Sequence, residues 1–215
     1  MKKINNIWVY IILVLVIPFG LHYTMNYYES NKAGLPILGP KNLDSSGNEI
    51  QHRIPAFKFL DQDSLLFDSE SLDGKIWVAN YFFTSCPTIC PTMMRNMQLV
   101  QEAFLDDPMI EILSLTVDPK HDIPTRFRKY AKGINVIDRK WHLLTGDKID
   151  LYRLARKGFL ITASEGDGGP TDFIHSENFV LIDRDGRIRF YYDGTEKAQV
   201  NQLLKDIAKL KRERS

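Results

Sequence analysis

The sequence predicts an α/β domain in which a sheet is layered against helices, with one apolar helix ahead of it. Three observations carry that prediction. Lys75 to Phe83 is an apolar, β-rich run too continuous for an edge strand. Apolar residues then recur at roughly helical spacing at Met94, Leu99, Val100, Ala103 and Phe104. The last third shows a strand, a turn at Asp183 to Gly186, a second strand and a closing helix.

Taken in order, Lys2 and Lys3 precede an apolar run from Ile7 to Tyr23, and no formally charged residue returns until Glu29. A hydrocarbon core of about 30 Å needs about 20 apolar residues, so the run spans if Tyr23, Tyr27 and Tyr28 sit at the interface. No small-x-small cleavage pattern follows, and the first cysteine is Cys86, which excludes a lipoprotein route here. Residues 1–28 are therefore expected to be a cytoplasmic N-terminus and a single-pass transmembrane anchor, with a cleaved signal peptide as the alternative. The lysines place the remainder on the periplasmic or outer face of a bacterial inner membrane. Residues 29–53, with Gly34, Pro36, Gly39, Pro40, Ser45, Ser46 and Gly47, suit a tether and lead-in loop. The folded domain is expected over 54–215.

Within it, Phe57 to Leu60 and Ser64 to Phe67 read as a short hairpin, Lys75 to Phe83 as the central strand, and Ile110 to Val117 as a second strand. Asp122 to Lys132 and Asp147 to Lys157 read as helices. Asn178 to Ile182 and Arg187 to Tyr192 form a second hairpin, and a helix from Glu196 to about Arg212 closes the chain. This order is that of a thioredoxin-like fold with an N-terminal hairpin and a helical insertion before the last hairpin, preceded by one transmembrane helix.

Composition narrows the chemistry. Among 215 residues, 28 Lys+Arg face 27 Asp+Glu, so the basic excess that drives binding to phosphate backbones is absent and no nucleic-acid partner is expected. Aromatic content of 11% argues against disorder. With only two cysteines, the chain cannot be a disulfide-stapled scaffold or a four-thiolate zinc or iron–sulfur site. What remains is Cys86-Pro-Thr-Ile-Cys90-Pro91, where the central strand meets a helix.

Side chains at i and i+4 share a helical face, so two such sulfurs can hold one soft ion. One helical turn also separates the Cα atoms by about 6 Å, which permits a redox disulfide between Cys86 and Cys90. Proline is best tolerated at a helix start, so Pro87 and Pro91 offer two candidate starts; the favoured one, Pro91, leaves Cys90 at the cap, where backbone N–H groups favour thiolate. A third ligand is sought among five histidines. His22 lies in the membrane run, His52 in the lead-in loop, His121 in a polar turn and His142 in an apolar run. His175 follows the glycine-rich loop Glu165 to Thr171 and precedes the strand whose start should lie beside the cysteine turn. Two thiolates and an imidazole form a soft set suited to copper, Cu(I) or Cu(II), one per chain. Met93, Met94 and Met97 read as core packing rather than a thioether relay.

These residues resemble the Sco/SenC family, membrane-anchored thioredoxin-like copper chaperones for cytochrome c oxidase assembly. The resemblance covers roughly Ile54 to Lys209. It rests on the cysteine motif, Thr116-Val-Asp-Pro119 with Asp122, Trp141-His-Leu-Leu-Thr-Gly146, and His175-Ser176 ahead of Val180 to Asp183 and Gly186. It implies Cys86, Cys90 and His175 as copper ligands, with Asp118 in the family's Asp-Pro segment near the site. Members often carry aspartate directly before the histidine; here Ile174 stands there, and Asp172 lies two residues further back. Asp118 and Asp172 are thus the carboxylates that would support the ligands. The implied function is a metallochaperone, not an enzyme, delivering copper to the dinuclear copper centre of an oxidase subunit. The alternative is a thiol–disulfide oxidoreductase that keeps oxidase or other periplasmic cysteines reduced and draws on a thiol reductant partner. A peroxiredoxin-type peroxidase fits less well, because Phe83 stands where that family has threonine.

Overall fold

The computed structural model describes residues 14, 16–24, 34–43, 47–161, 174 and 176–213. The chain divides into two units, Met1–Gly34 and Leu35–Ser215. In the first, residues 16–24 are helical. Among the described residues no helix is long and apolar enough to cross a membrane. Much of the stretch expected to form the anchor, including residues 1–13 and 25–28, lies outside the described residues.

In the second unit, two short antiparallel pairs come first: β1 (Lys41–Leu43) with β2 (Glu49–Gln51), and β3 (Lys58–Leu60) with β4 (Leu66–Asp68). The main sheet comprises β5 (Ile76–Phe82), β6 (Ile110–Thr116), β7 (Trp141–Leu144), β8 (Asn178–Ile182) and β9 (Ile188–Asp193), in the spatial order β7-β6-β5-β8-β9. Among the described residues, four helices cover it: α1 (Cys90–Ala103), α2 (Pro124–Gly133), α3 (Lys148–Arg153) continuing into a π turn at Leu154–Gly158, and α4 (Lys197–Arg212).

The apolar run of β5 is continuous because the strand is central, paired in parallel with β6 and antiparallel with β8, and every one of its residues is buried. The strand period sends Ile76, Val78 and Phe82 into a core with Met93, Met94 and Met97 of α1 and Phe127 of α2. Trp77, Ala79 and Tyr81 face the opposite core, with Phe57, Phe59 and Phe67 of the first hairpin and Tyr152 of α3. The three methionines are fully buried, as the sequence predicts for core packing. Asn80, polar and buried in the strand, is satisfied through a chain: Ser114 Oγ donates to Asn80 Oδ1 at 2.5 Å, and Trp141 Nε1 donates to Ser114 Oγ at 2.9 Å.

Several boundaries differ from expectation. The apolar run around His142 is an edge strand, β7, pairing in parallel with β6. β1 and β2 fall in the stretch expected to be tether, and Leu38 N donates to Ile188 O at 2.8 Å, joining that stretch to the main sheet. The helix expected from Asp147 to Lys157 is helical only to Arg153 before the π turn, with Asp147 as its cap, its carboxylate accepting from Ile149 N and Asp150 N. The cysteine helix starts at Cys90 itself, with Ile89 as the cap residue and Pro91 in the first turn.

Candidate metal centre

β5 ends at Phe82, and the chain turns through residues 83–89 into α1. Cys86 N donates to Phe83 O at 3.2 Å, which folds the turn back on the strand end. Proline is accommodated at Pro91 because a first-turn N–H has no partner within the helix. The cap residue Ile89 has an apolar side chain and makes no capping hydrogen bond. Both cysteines are free thiols and both are buried, Cys86 at 9% exposure and Cys90 at 4%.

The helix start acts on Cys86 rather than on Cys90. Burial pushes the Cys86 thiol up, but the backbone N–H groups of Cys90 and Thr88, the Thr88 hydroxyl and the Cys90 thiol all hydrogen-bond its sulfur and bring it down to about 7. Thr88 Oγ1 lies 3.7 Å from that sulfur. Cys90 points into the core: burial is the main cause of its rise to about 12, and the Cys86 sulfur and the Asp122 carboxylate add to it against one backbone hydrogen bond from Phe83. The sequence places thiolate character at the cap cysteine, and the structure transfers it to Cys86, because the first N–H groups of a helix point outward past its own first residue to the preceding turn.

Beside the pair lies a cavity of about 210 Å³, lined by Phe83, Cys86, Cys90, Val117, Ile174 and Ser176 among others. Ile174 is 3% exposed and packs into the core that holds Tyr81 and Val117. His175 and Asp172 lie outside the described residues, but the two chain neighbours of His175 both line the cysteine cavity. Asp118 is turned to another partner: its carboxylate accepts from His121 Nδ1 at 2.8 Å. Among the described residues no group of three or more His, Cys, Asp or Glu side chains is placed to hold a metal ion. The other histidines of this unit are engaged elsewhere, His52 Nε2 with Gly158 O at 2.7 Å, His121 with Asp118, and His142 beside Glu111 and the Phe67 ring.

A further charged residue beside the turn, Asp122, was visible in the sequence only as part of a motif. It is fully buried, and its carboxylate accepts from Thr84 N at 3.1 Å, from Thr84 Oγ1 and from Thr116 Oγ1 at 2.7 Å. The sequence signal is faint: threonines at the ends of two apolar strands and an aspartate a few residues past the second.

A thioredoxin-like α/β layer with two thiols where its central strand meets a helix defines a class of small redox-active or metal-handling domains. Residues 46–212 match the model of the SCO1/SenC family, and the chain belongs to that family. It is 29% identical over 160 residues to the SCO1 protein homolog of Bacillus subtilis, covering 74% of this chain and 82% of that protein. A protein of Stutzerimonas stutzeri whose name calls it copper-binding is 29% identical over 145 residues, 65% of this chain and 68% of its own. Among solved structures, a SCO1/SenC family lipoprotein from Bacillus anthracis superposes with a TM-score of 0.65 at 29% identity, covering 75% of this chain and 96% of that one. BsSco, described as a member of the Sco family of cytochrome c oxidase assembly proteins with a disulfide switch, superposes with a TM-score of 0.64 at 28% identity, over 76% and 95% of the two chains. Yeast Sco1 with copper bound shares the fold at 22% identity, with a TM-score of 0.57 over 73% and 89% of the two chains.

Proposed function

We propose that this chain is a membrane-anchored copper metallochaperone that binds one copper ion through Cys86, Cys90 and His175 and delivers it to the dinuclear copper centre of cytochrome c oxidase. The observation that carries the reading is convergence: both free thiols and both chain neighbours of His175 line one cavity at the end of β5. The donor chemistry fits the cargo, since two sulfurs and an imidazole suit copper, and the three described histidines of this unit have other partners. Oxidase-assembly and copper-binding relatives support the same role.

In this mechanism Cys86, the sulfur that ionises near neutral pH, meets the incoming ion first. Cys90 loses its proton as it joins, because its buried thiol ionises only when a cation compensates the charge. The lysines ahead of the apolar run Ile7 to Tyr23 hold the N-terminus in the cytoplasm and the cysteine domain outside. Copper leaves by stepwise ligand exchange with the recipient's own ligands.

A second reading, thiol–disulfide exchange, is favoured by the contact between the two sulfurs. Cys86 thiolate would attack a partner disulfide, releasing one partner thiolate. Cys90 would then displace the second partner sulfur, leaving a Cys86–Cys90 disulfide for a thiol reductant to restore. Titration of the reduced full-length chain with Cu(I) against a chromophoric chelator separates the two. One copper per chain is expected, abolished by Cys86→Ala or Cys90→Ala and weakened at least tenfold by His175→Ala. Oxidase assembly that survives His175→Ala in cells would favour the exchange reading, and loss rescued by added copper would favour delivery.

A further inference from the structure

The cysteine turn is tied down by a buried carboxylate that supplies no sulfur or nitrogen to the site. Asp122 follows β6 and is 0% exposed. An ionised carboxylate there is costly unless its oxygens are satisfied. They are satisfied mainly by Thr84, which lies on a separate segment and is the second residue before Cys86. Thr84 N donates to Asp122 Oδ2 at 3.1 Å and Thr84 Oγ1 donates to Asp122 Oδ1. Thr116 Oγ1, at the end of β6, donates to Oδ2 at 2.7 Å, and Asp122 N donates to Asp118 O at 2.9 Å. From α2, Arg126 Nε donates to Thr84 Oγ1 at 2.6 Å and lies 3.7 Å from Asp122 Oδ1.

Closing the turn between β6 and α2 needs only the Thr116 and Asp118 bonds. The two bonds to Thr84 instead join that turn to the one carrying Cys86, and Arg126 braces the same threonine from outside. We propose that Asp122 is the positioning residue of the cysteine turn: with Thr84 as its handle, it presets Cys86 against Cys90 for capture of a soft metal ion. The metal half of this statement rests on the copper reading above. The preset of the two sulfurs does not, because it also governs how readily they form a disulfide.

The test uses the reduced full-length chain in detergent and two probes, Cu(I) in competition with a chelator and a glutathione redox buffer. Asp122→Asn replaces the carboxylate with a neutral amide that keeps one acceptor oxygen, Thr84→Val removes the hydroxyl while keeping the side-chain shape, and Thr84→Ser restores it. Thr84→Val is expected to fold and to bind Cu(I) about tenfold more weakly. Its Cys86–Cys90 disulfide should also be about tenfold easier to reduce, a rise of about 30 mV in potential. Asp122→Asn should shift both in the same direction, and Thr84→Ser should return both to within about twofold of the parent. The proposal is overturned if Thr84→Val melts cooperatively with both equilibria within twofold of the parent, whatever happens to its melting temperature, or if Thr84→Ser is as damaging as Thr84→Val. If the parent chain takes up no Cu(I), the copper reading fails, and the disulfide equilibrium alone still decides the role of Asp122.

Discussion

Cys86 and Cys90 share a motif but not an environment. The N–H groups of Thr88 in the turn and of Cys90 at the start of α1 reach the Cys86 sulfur, while Cys90 is the more deeply buried of the two thiols in the same core. A thiol lowered from about 9 to about 7 is near half-ionised at neutral pH, whereas one raised to about 12 is almost wholly protonated. Because only thiolate is alkylated, the iodoacetamide rate at Cys86 should rise through a midpoint near pH 7, and Cys90 should stay essentially unlabelled across that range. Peptide mass spectrometry after timed labelling reads both; equal labelling, or a Cys86 midpoint near 9, would contradict the arrangement. The motif was legible in the sequence, but the assignment of thiolate to Cys86 was not. It depends on which residue the first N–H groups of a helix face, and a one-residue shift of the helix start reverses it. Asp118 shows the same limit: its motif was readable, but its pairing with His121 comes from a local turn.

At the level of elements, long buried segments were legible and short ones were not. β5, β6, the last hairpin and α1 carry enough apolar residues in one period to identify themselves. β7 is only a short apolar run, equally compatible with a loop crossing the core, and β1 and β2 are three-residue strands with one apolar residue each, Leu43 and Ile50, both exposed. Helix α3 depends on its cap, since Asp147 alone satisfies the N–H groups of Ile149 and Asp150. Asp147→Ala should therefore cost about 1 kcal/mol. Met97→Ala, which empties a fully buried position between α1 and the sheet, should cost about 2–5 kcal/mol. Denaturant unfolding measures both, and equal costs would mean that α1 packs less tightly than its burial indicates.

For the folded unit as a whole, the sheet has two functional ends. The cysteine turn leaves the C-terminal end of β5, while β9 begins at Ile188, opposite Ile182 and so level with Trp77 at the other end. Five residues of β5 separate these levels, about 17 Å along a strand. The far end gathers the first residues of this unit and the end of α4. Arg189, 5% exposed, donates to Leu35 O, to Pro36 O at 3.0 Å, to Asp183 Oδ2 at 3.2 Å and to Glu213 Oε2 at 2.7 Å, and Glu213 Oε1 accepts from Leu35 N at 2.8 Å. One guanidinium thus ties the segment entering the unit to β9 and to the end of α4. Asp183 keeps Arg187, whose Nε donates to Oδ2 at 2.8 Å, so what Arg189→Ala removes is a set of charge-assisted hydrogen bonds, and it should destabilise by about 1.5–3 kcal/mol. Sites separated by more than about 10 Å with no shared partner act independently. Below its melting temperature the variant should therefore keep the Cys86 alkylation profile and Cu(I) affinity of the parent, and its stability loss should add to that of Thr84→Val within about 0.5 kcal/mol. A changed Cys86 midpoint, or strong non-additivity in the double variant, would show that the tie at one end of the sheet is mechanically coupled to the cysteine turn at the other.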